Sequence, residues 1–231
     1  MTLADALLVS LVLITATSAA VTAPEHPIYP EMLDAAGVTA AKARVAPCMA
    51  LSEAQVRGML TGKAGFYEIR CPNCTGGEGG RQLAWDPASP DRLKCAYCGH
   101  EYPSEQYPMD KVYEHVAPTG ETQQYPYWEG PDGYHHYFDA KIEFQRRGWL
   151  VSCMTDCARI YHATGEAPYA RRAAVILQRL AETYASIPIH GLDGYTYRRP
   201  VFADNEPPHP YLSGKTTSTW FYSEISTGAV T

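Results

Sequence analysis

The chain has 231 residues, 45% of them hydrophobic and 19% charged, and its aromatic residues are 4 Trp, 17 Tyr and 5 Phe. That balance excludes a disordered or low-complexity chain, and the length admits one large domain or a small one beside a medium one. A formal charge of −6 speaks against nucleic acid as a partner, because neutralising phosphates needs a surplus of Lys and Arg. The basic doublets Arg146-Arg147, Arg171-Arg172 and Arg198-Arg199 read as solvated faces.

Residues 1–23, MTLADALLVSLVLITATSAAVTA, read as a signal peptide. An apolar core from Ala6 to Ile14 precedes small residues, and Ser18-Ala19-Ala20 or Val21-Thr22-Ala23 offers an A-x-A-like cleavage site. The segment before that core carries Asp5 and no Lys or Arg, so an uncleaved anchor or a buried helix competes with this reading. No other stretch approaches the roughly 20 apolar residues of a membrane span. The expectation is a secreted or periplasmic protein with no membrane contact once the leader is removed.

Residues 24–69 read as an N-terminal helical segment behind a Pro-rich entry, Pro24 to Pro30. Within it, Leu51 to Leu60 is a short helical stretch with Ser52 as N-cap and Glu53, Gln55 and Arg57 facing water.

Residues 70–103 carry the most specific signal: Cys71-Pro-Asn-Cys74, then Cys95-Ala-Tyr-Cys98-Gly99-His100. Two C-x-x-C knuckles so spaced can set four thiolates tetrahedrally around Zn²⁺, and Gly99 fits the tight turn that aims backbone N–H groups at the sulfurs. Four cysteines close the shell, so the metal is structural and His100 is a neighbour. Disulfides are the competing reading for an exported chain.

Pro103 to Gly133, dense in Tyr and Pro, reads as a loop-rich passage. From Ala140 the pattern turns helical, with Leu150, Cys153, Cys157, Ile160 and Tyr161 at spacings of three and four. Gly165 suits a helix C-cap and Pro168 the first turn of a second helix to about Tyr184, which predicts an αα-hairpin. Its expected apolar stripe is Tyr169, Ala173, Ile176, Leu177, Leu180 and Tyr184, with Arg171, Arg172, Gln178 and Arg179 outside. Cys153 and Cys157 lie parallel on one helix face, which suits a disulfide poorly and core burial well. Cys48 has no assignment. A weak helical hint covers Thr219 to Ile225.

A third constellation, Tyr125-Pro-Tyr127-Trp128-Glu129 and then Gly133-Tyr-His135-His136-Tyr-Phe138-Asp139, interleaves aromatic rings with His and Glu. Sugar-binding clefts use this mixture, since pyranose C–H faces stack on rings while hydroxyls need polar partners, and His works as acid or base near neutral pH. The substrate-contact candidates are therefore Tyr125, Tyr127, Trp128, Glu129, His135 and His136. The bland alternative is that the rings staple a long loop over a helical core.

Taken together, GFYEIRCPNCTGG, QLAWDPASPDRLKCAYCGHEYPSEQYPMD, PTGETQQYPYWEGPDGYHHYFDAK and TGEAPYARRAAVIL resemble the N-terminal part of bacterial heparinase II/III-like proteins, over roughly Leu51 to Tyr184. The resemblance implies a mostly α fold: a partial (α/α) toroid, begun by residues 104–231, with a small β zinc ribbon inserted near its start. It also implies an exported polysaccharide lyase that cleaves uronic-acid-containing, hence acidic, polysaccharide by β-elimination. The Asn-His pair typical of the family's catalytic helix is absent from this chain, so no catalytic residue is carried over. A toroid of five or six hairpins needs well over 200 helical residues. The chain is thus expected to be the N-terminal portion of a longer enzyme, its catalytic residues beyond Thr231. A non-catalytic carbohydrate-binding or scaffold protein is the alternative, and a zinc-ribbon interaction module unrelated to sugars is a third.

Overall fold

The computed structural model describes residues 32–77, 79–117, 119–188, 190–191 and 221–222, all within one compact unit. The expected leader and the Arg198-Arg199 doublet lie outside the described residues. None of the helices among the described residues is long and apolar enough to cross a membrane.

Three helices lead the chain. Helix α1 (Ala35–Ala50) starts where the Asp34 carboxylate accepts from the Gly37 N–H at 2.7 Å, and α2 (Glu53–Met59) starts with the capping box that Ser52 and Gln55 form reciprocally. After a short α3 (Gly79–Gln82) come β1 (Leu83–Trp85), β2 (Leu93–Cys95) and β3 (Glu101–Tyr102), paired antiparallel in the order β1-β2-β3. A second antiparallel sheet contains β4 (Lys111–Val116), β5 (Thr122–Glu129) and β6 (His135–His136), in that order.

Helix α4 (Phe138–Thr164) follows and ends at Gly165, whose φ of 71° is the left-handed conformation that a Cβ would strain. Helix α5 (Ala167–Tyr184) opens with Pro168 in its first turn, so the expected helical hairpin is present. Finally β7 (His190–Gly191) pairs with β8 (Phe221–Tyr222), where the sequence hinted at helix.

The core has two parts, and α4 runs through both. Its first two turns bury Phe138, Ala140, Lys141, Ile142 and Glu143 almost without a break, because both three-stranded sheets close on them. Further along, Leu150, Cys153, Met154, Cys157 and Ile160 form one stripe at helical spacing, packed on Val45 and Cys48 of α1, Val56 of α2, and Ile176 and Leu180 of α5.

The mostly α toroid is not what forms. Helix makes up 46% and strand 17% of the described residues, with two small three-stranded antiparallel sheets, so the class is mixed α and β. The difference lies in the passage read as loop. Gln123 and Tyr125 point inward along β5 while Thr122 and Gln124 point out, the two-residue period of a half-buried strand. β6 reaches only Trp128 and Glu129, so Pro126 has an open side within β5, the placement a strand proline tolerates.

The face of α5 differs as well. Arg172, Ile176, Leu180 and Thr183 are buried, whereas Leu177 and Tyr184 are 44% and 57% exposed. Two arginines expected in solvent explain the rotation. Arg172 Nη2 donates to the Leu51 carbonyl at 2.5 Å, and Arg179 Nε donates to the carbonyls of Arg57 and Leu60 at 3.2 and 3.1 Å. Each guanidinium thus caps the C-terminal end of a neighbouring helix, where carbonyls lack partners and the helix dipole favours a cation.

Candidate metal centre and adjoining cleft

Cys71 and Cys74 bracket a turn before α3, Cys95 ends β2, and Cys98 lies in the turn between β2 and β3. None is in a disulfide, and their four sulfurs lie within 4.8 Å of one another. The sulfur–sulfur separations are 3.6 Å for Cys74–Cys95, 3.7 Å for Cys71–Cys98 and 3.8 Å for Cys71–Cys74. A tetrahedral thiolate site with metal–sulfur bonds of about 2.3 Å has edges of about 3.8 Å. The separations fit that edge, whereas a disulfide needs about 2.05 Å. The four cysteines can therefore hold a metal ion, and they are the only such group of His, Cys, Asp or Glu among the described residues.

The surroundings suit thiolates. Backbone N–H groups of Asn73, Gly76 and His100 donate to the sulfurs of Cys71, Cys74 and Cys98, each from two residues downstream. Gly99 makes this possible at the second knuckle by taking φ 74°. Burial pushes the Cys71 thiol up to about 12, while the His100 N–H and the Asn73 side chain draw Cys98 down to about 6. The Tyr102 hydroxyl sits 2.9 Å from the Cys71 sulfur, an outer contact that orients the ligand. The His100 ring packs against Tyr102 and Tyr107 instead, outside the sulfur cluster.

Beside the first knuckle lies an open cleft of about 540 Å³, lined among others by Arg70, Asn73, Gln82, Trp128, Asp132 and His136. One wall is the knuckle and the other is the β5–β6 end of the second sheet. Cross-strand pairing of Trp128 with His136 brings their rings to 5.1 Å, and Tyr107 meets Trp128 edge-on from behind at 5.0 Å. His136 is 2% exposed and its Nδ1 lies 3.1 Å from the Arg70 carbonyl, which fixes the proton on that nitrogen. Burial pushes this imidazole down to about 4, so it is neutral at physiological pH. Arg70 pairs with Asp132 and lies 4.1 Å over the Tyr134 ring. These three groups together carry no surplus charge.

The six expected contact residues are not one site. Trp128 and His136 line the cleft. Glu129 and His135, paired across the strands, form a separate group in which Glu129 meets Lys111 at 2.5 Å and His135 at 3.9 Å, with the Tyr127 ring 4.7 Å from His135. Tyr125 belongs to the core: it is 2% exposed, stacks on Phe66, accepts from the Ala64 N–H and donates to Gln123. Sequence reasoning missed Arg70, Asn73 and Asp132. The only available signal was that Arg70 and Asn73 flank a predicted ligand, while Asp132 follows the Gly130-Pro131 turn.

No family model matches the chain, and no curated protein and no solved structure is similar to it.

Proposed function

We propose that this chain is a polysaccharide-recognition protein whose cleft is held open by one structural Zn²⁺ on Cys71, Cys74, Cys95 and Cys98. Zinc is the choice among metals because four thiolates at tetrahedral spacing match its preferred closed site, which leaves no position for a reacting water. The observation that carries recognition is the pairing of Trp128 with His136 beside Asn73 and the Arg70–Asp132 pair. One indole face and a ring of hydrogen-bonding groups are what a pyranose requires, and the cleft volume lies in the usual range for small-ligand sites.

The resemblance to heparinase II/III-like proteins supplies the setting: an exported lyase acting on uronic-acid polysaccharide, with the bond-breaking groups outside this cleft. Tyr134, whose ring lies 4.5 Å from that of His136, commits its hydroxyl to the Glu68 carbonyl and the Arg70 N–H, which supports recognition over β-elimination here. The leader-like residues 1–23 support a secreted or periplasmic location.

Metal analysis of the purified chain tests the first half, with one zinc per chain expected and a chain without zinc refuting it. For the second half, the zinc-loaded chain is titrated with neutral and with uronic-acid oligosaccharides, alongside Trp128→Ala. Binding that falls at least tenfold in the variant supports the cleft, and the preferred series tells whether the polysaccharide is acidic. A folded, zinc-loaded chain that binds neither series refutes recognition.

A further inference from the structure

Three sulfurs outside the metal centre share the second core. Cys48 on α1 is 0% exposed, and Cys153 and Cys157 on α4 are 4% and 0% exposed, all in the cluster where the two helices pack. They are not equivalent. Cys48 and Cys153 share the α1–α4 cluster and lie close enough for each sulfur to shift the other's thiol. Cys157 meets a different partner, the Met49 sulfur at 4.0 Å. Cys153 and Cys157, four residues apart on one helix, point the same way and lack the geometry of a bridge. The three do not gather closely enough to form a second metal group.

We propose that Cys48 and Cys153 form a disulfide that fastens α1 to α4, leaving Cys157 as a thiol. This inference does not depend on what the cleft binds.

The bridge forms by two successive thiol–disulfide exchanges in which Cys48 and Cys153 each attack once. With a small disulfide such as oxidised glutathione as oxidant, the thiolate of one attacks one glutathione sulfur. The S–S bond breaks, a mixed disulfide forms, and one glutathione leaves as thiolate. The other cysteine, losing its proton to water, then attacks the sulfur of the first, the mixed disulfide breaks, and the second glutathione leaves. Two cysteine thiols are oxidised and one glutathione disulfide is reduced to two thiols. Because both cysteines are buried, exchange proceeds while α1 is undocked, during folding or local opening.

The test uses the full zinc-loaded chain, refolded or incubated in oxidised glutathione, quenched in acid, and alkylated in denaturant. Intact mass and peptide mapping follow. The expected result is a loss of two hydrogens, a single crosslinked peptide joining Cys48 to Cys153, and alkylated Cys157. Cys157→Ser should leave that crosslink in place, and either Cys48→Ser or Cys153→Ser should abolish it. Alkylation of both Cys48 and Cys153 after oxidation overturns the proposal, as does a Cys153–Cys157 or Cys48–Cys157 crosslink.

Discussion

Stripping the proposed zinc should unfold one part of this protein and spare another, because its candidate ligands contribute to only one of the two cores. Leu83, Leu93, Tyr102, Cys71 and Cys95 are each 3% exposed or less and belong to the first core. The strands that carry them span only three, three and two residues, too short to form a stable sheet alone. Burying Leu83, Leu93 and Tyr102 contributes roughly 6 kcal/mol at about 2 kcal/mol each. A structural tetrathiolate zinc contributes on the order of 10 kcal/mol, comparable with the roughly 5–15 kcal/mol by which a whole domain is stable. Removing it should therefore melt Cys71 to Tyr102. The second core, formed by α1, α2, the later turns of α4, and α5, contains none of the four ligands and should persist. Hydrogen exchange read by mass spectrometry, with and without a zinc chelator, checks this. Amides of β2 and β3 should lose protection while those of α5 and of α4 beyond Leu150 keep most of theirs. The sign with pH follows from proton competition: thiolates bind metal and thiols do not, so less chelator should suffice as pH falls. Zinc-free protein with unchanged protection in β2 and β3 would refute the reasoning, and so would helices that unfold together with the ribbon.

Replacing Arg172 with Met keeps the packed stem but removes the charged donor from the Leu51 carbonyl, which should cost about 2 kcal/mol, read as a lower urea midpoint. Gly165→Ala forces a Cβ into the left-handed conformation and should cost about 1 kcal/mol in the same assay. His136 is held neutral down to about 4 in the folded chain against 6.5 when unfolded, so neither state is charged above pH 6.5 and only the unfolded chain gains the proton between 6.5 and 4. Stability should fall across that window by up to about 3 kcal/mol and level off below it, and His136→Gln should remove that part of the slope in urea titrations at stepped pH.

What the sequence made legible was whatever depends on residues close together in the chain. The two knuckles are i, i+3 pairs, the Ser52–Gln55 capping box spans one turn, and Gly165 with Pro168 marks a helix end and the next start within four residues. Each is a local rule with a local cause. The burial of Arg172 and Arg179 was not legible, because an arginine stem packs like an aliphatic chain, and its head is drawn inward only by carbonyls more than 100 positions earlier. Toroid architecture failed for a related reason. One helical hairpin does not specify what packs against it, and here two β sheets take the place further hairpins would have filled at the start of α4.

The candidate cleft shows the same limit at finer scale. Read along the chain, the aromatic and polar residues of Tyr125 to Glu129 and of His135 and His136 form one patch. In the folded chain the pleat divides them, because neighbouring strand residues face opposite ways. Trp128 opposes His136 and the two look into the cleft, whereas Glu129 opposes His135 beside Lys111 and Tyr127. A register shifted by one residue would set Trp128 against His135 and break the pairing on which the proposed recognition rests. The two halves should therefore separate on mutation. Glu129→Gln removes the charge that Lys111 meets at the surface and should leave oligosaccharide affinity unchanged. Trp128→Ala should lower affinity with the zinc still bound. Equal losses of affinity from both variants, each measured by titration on zinc-loaded protein, would mean that the aromatic run acts as a single surface after all.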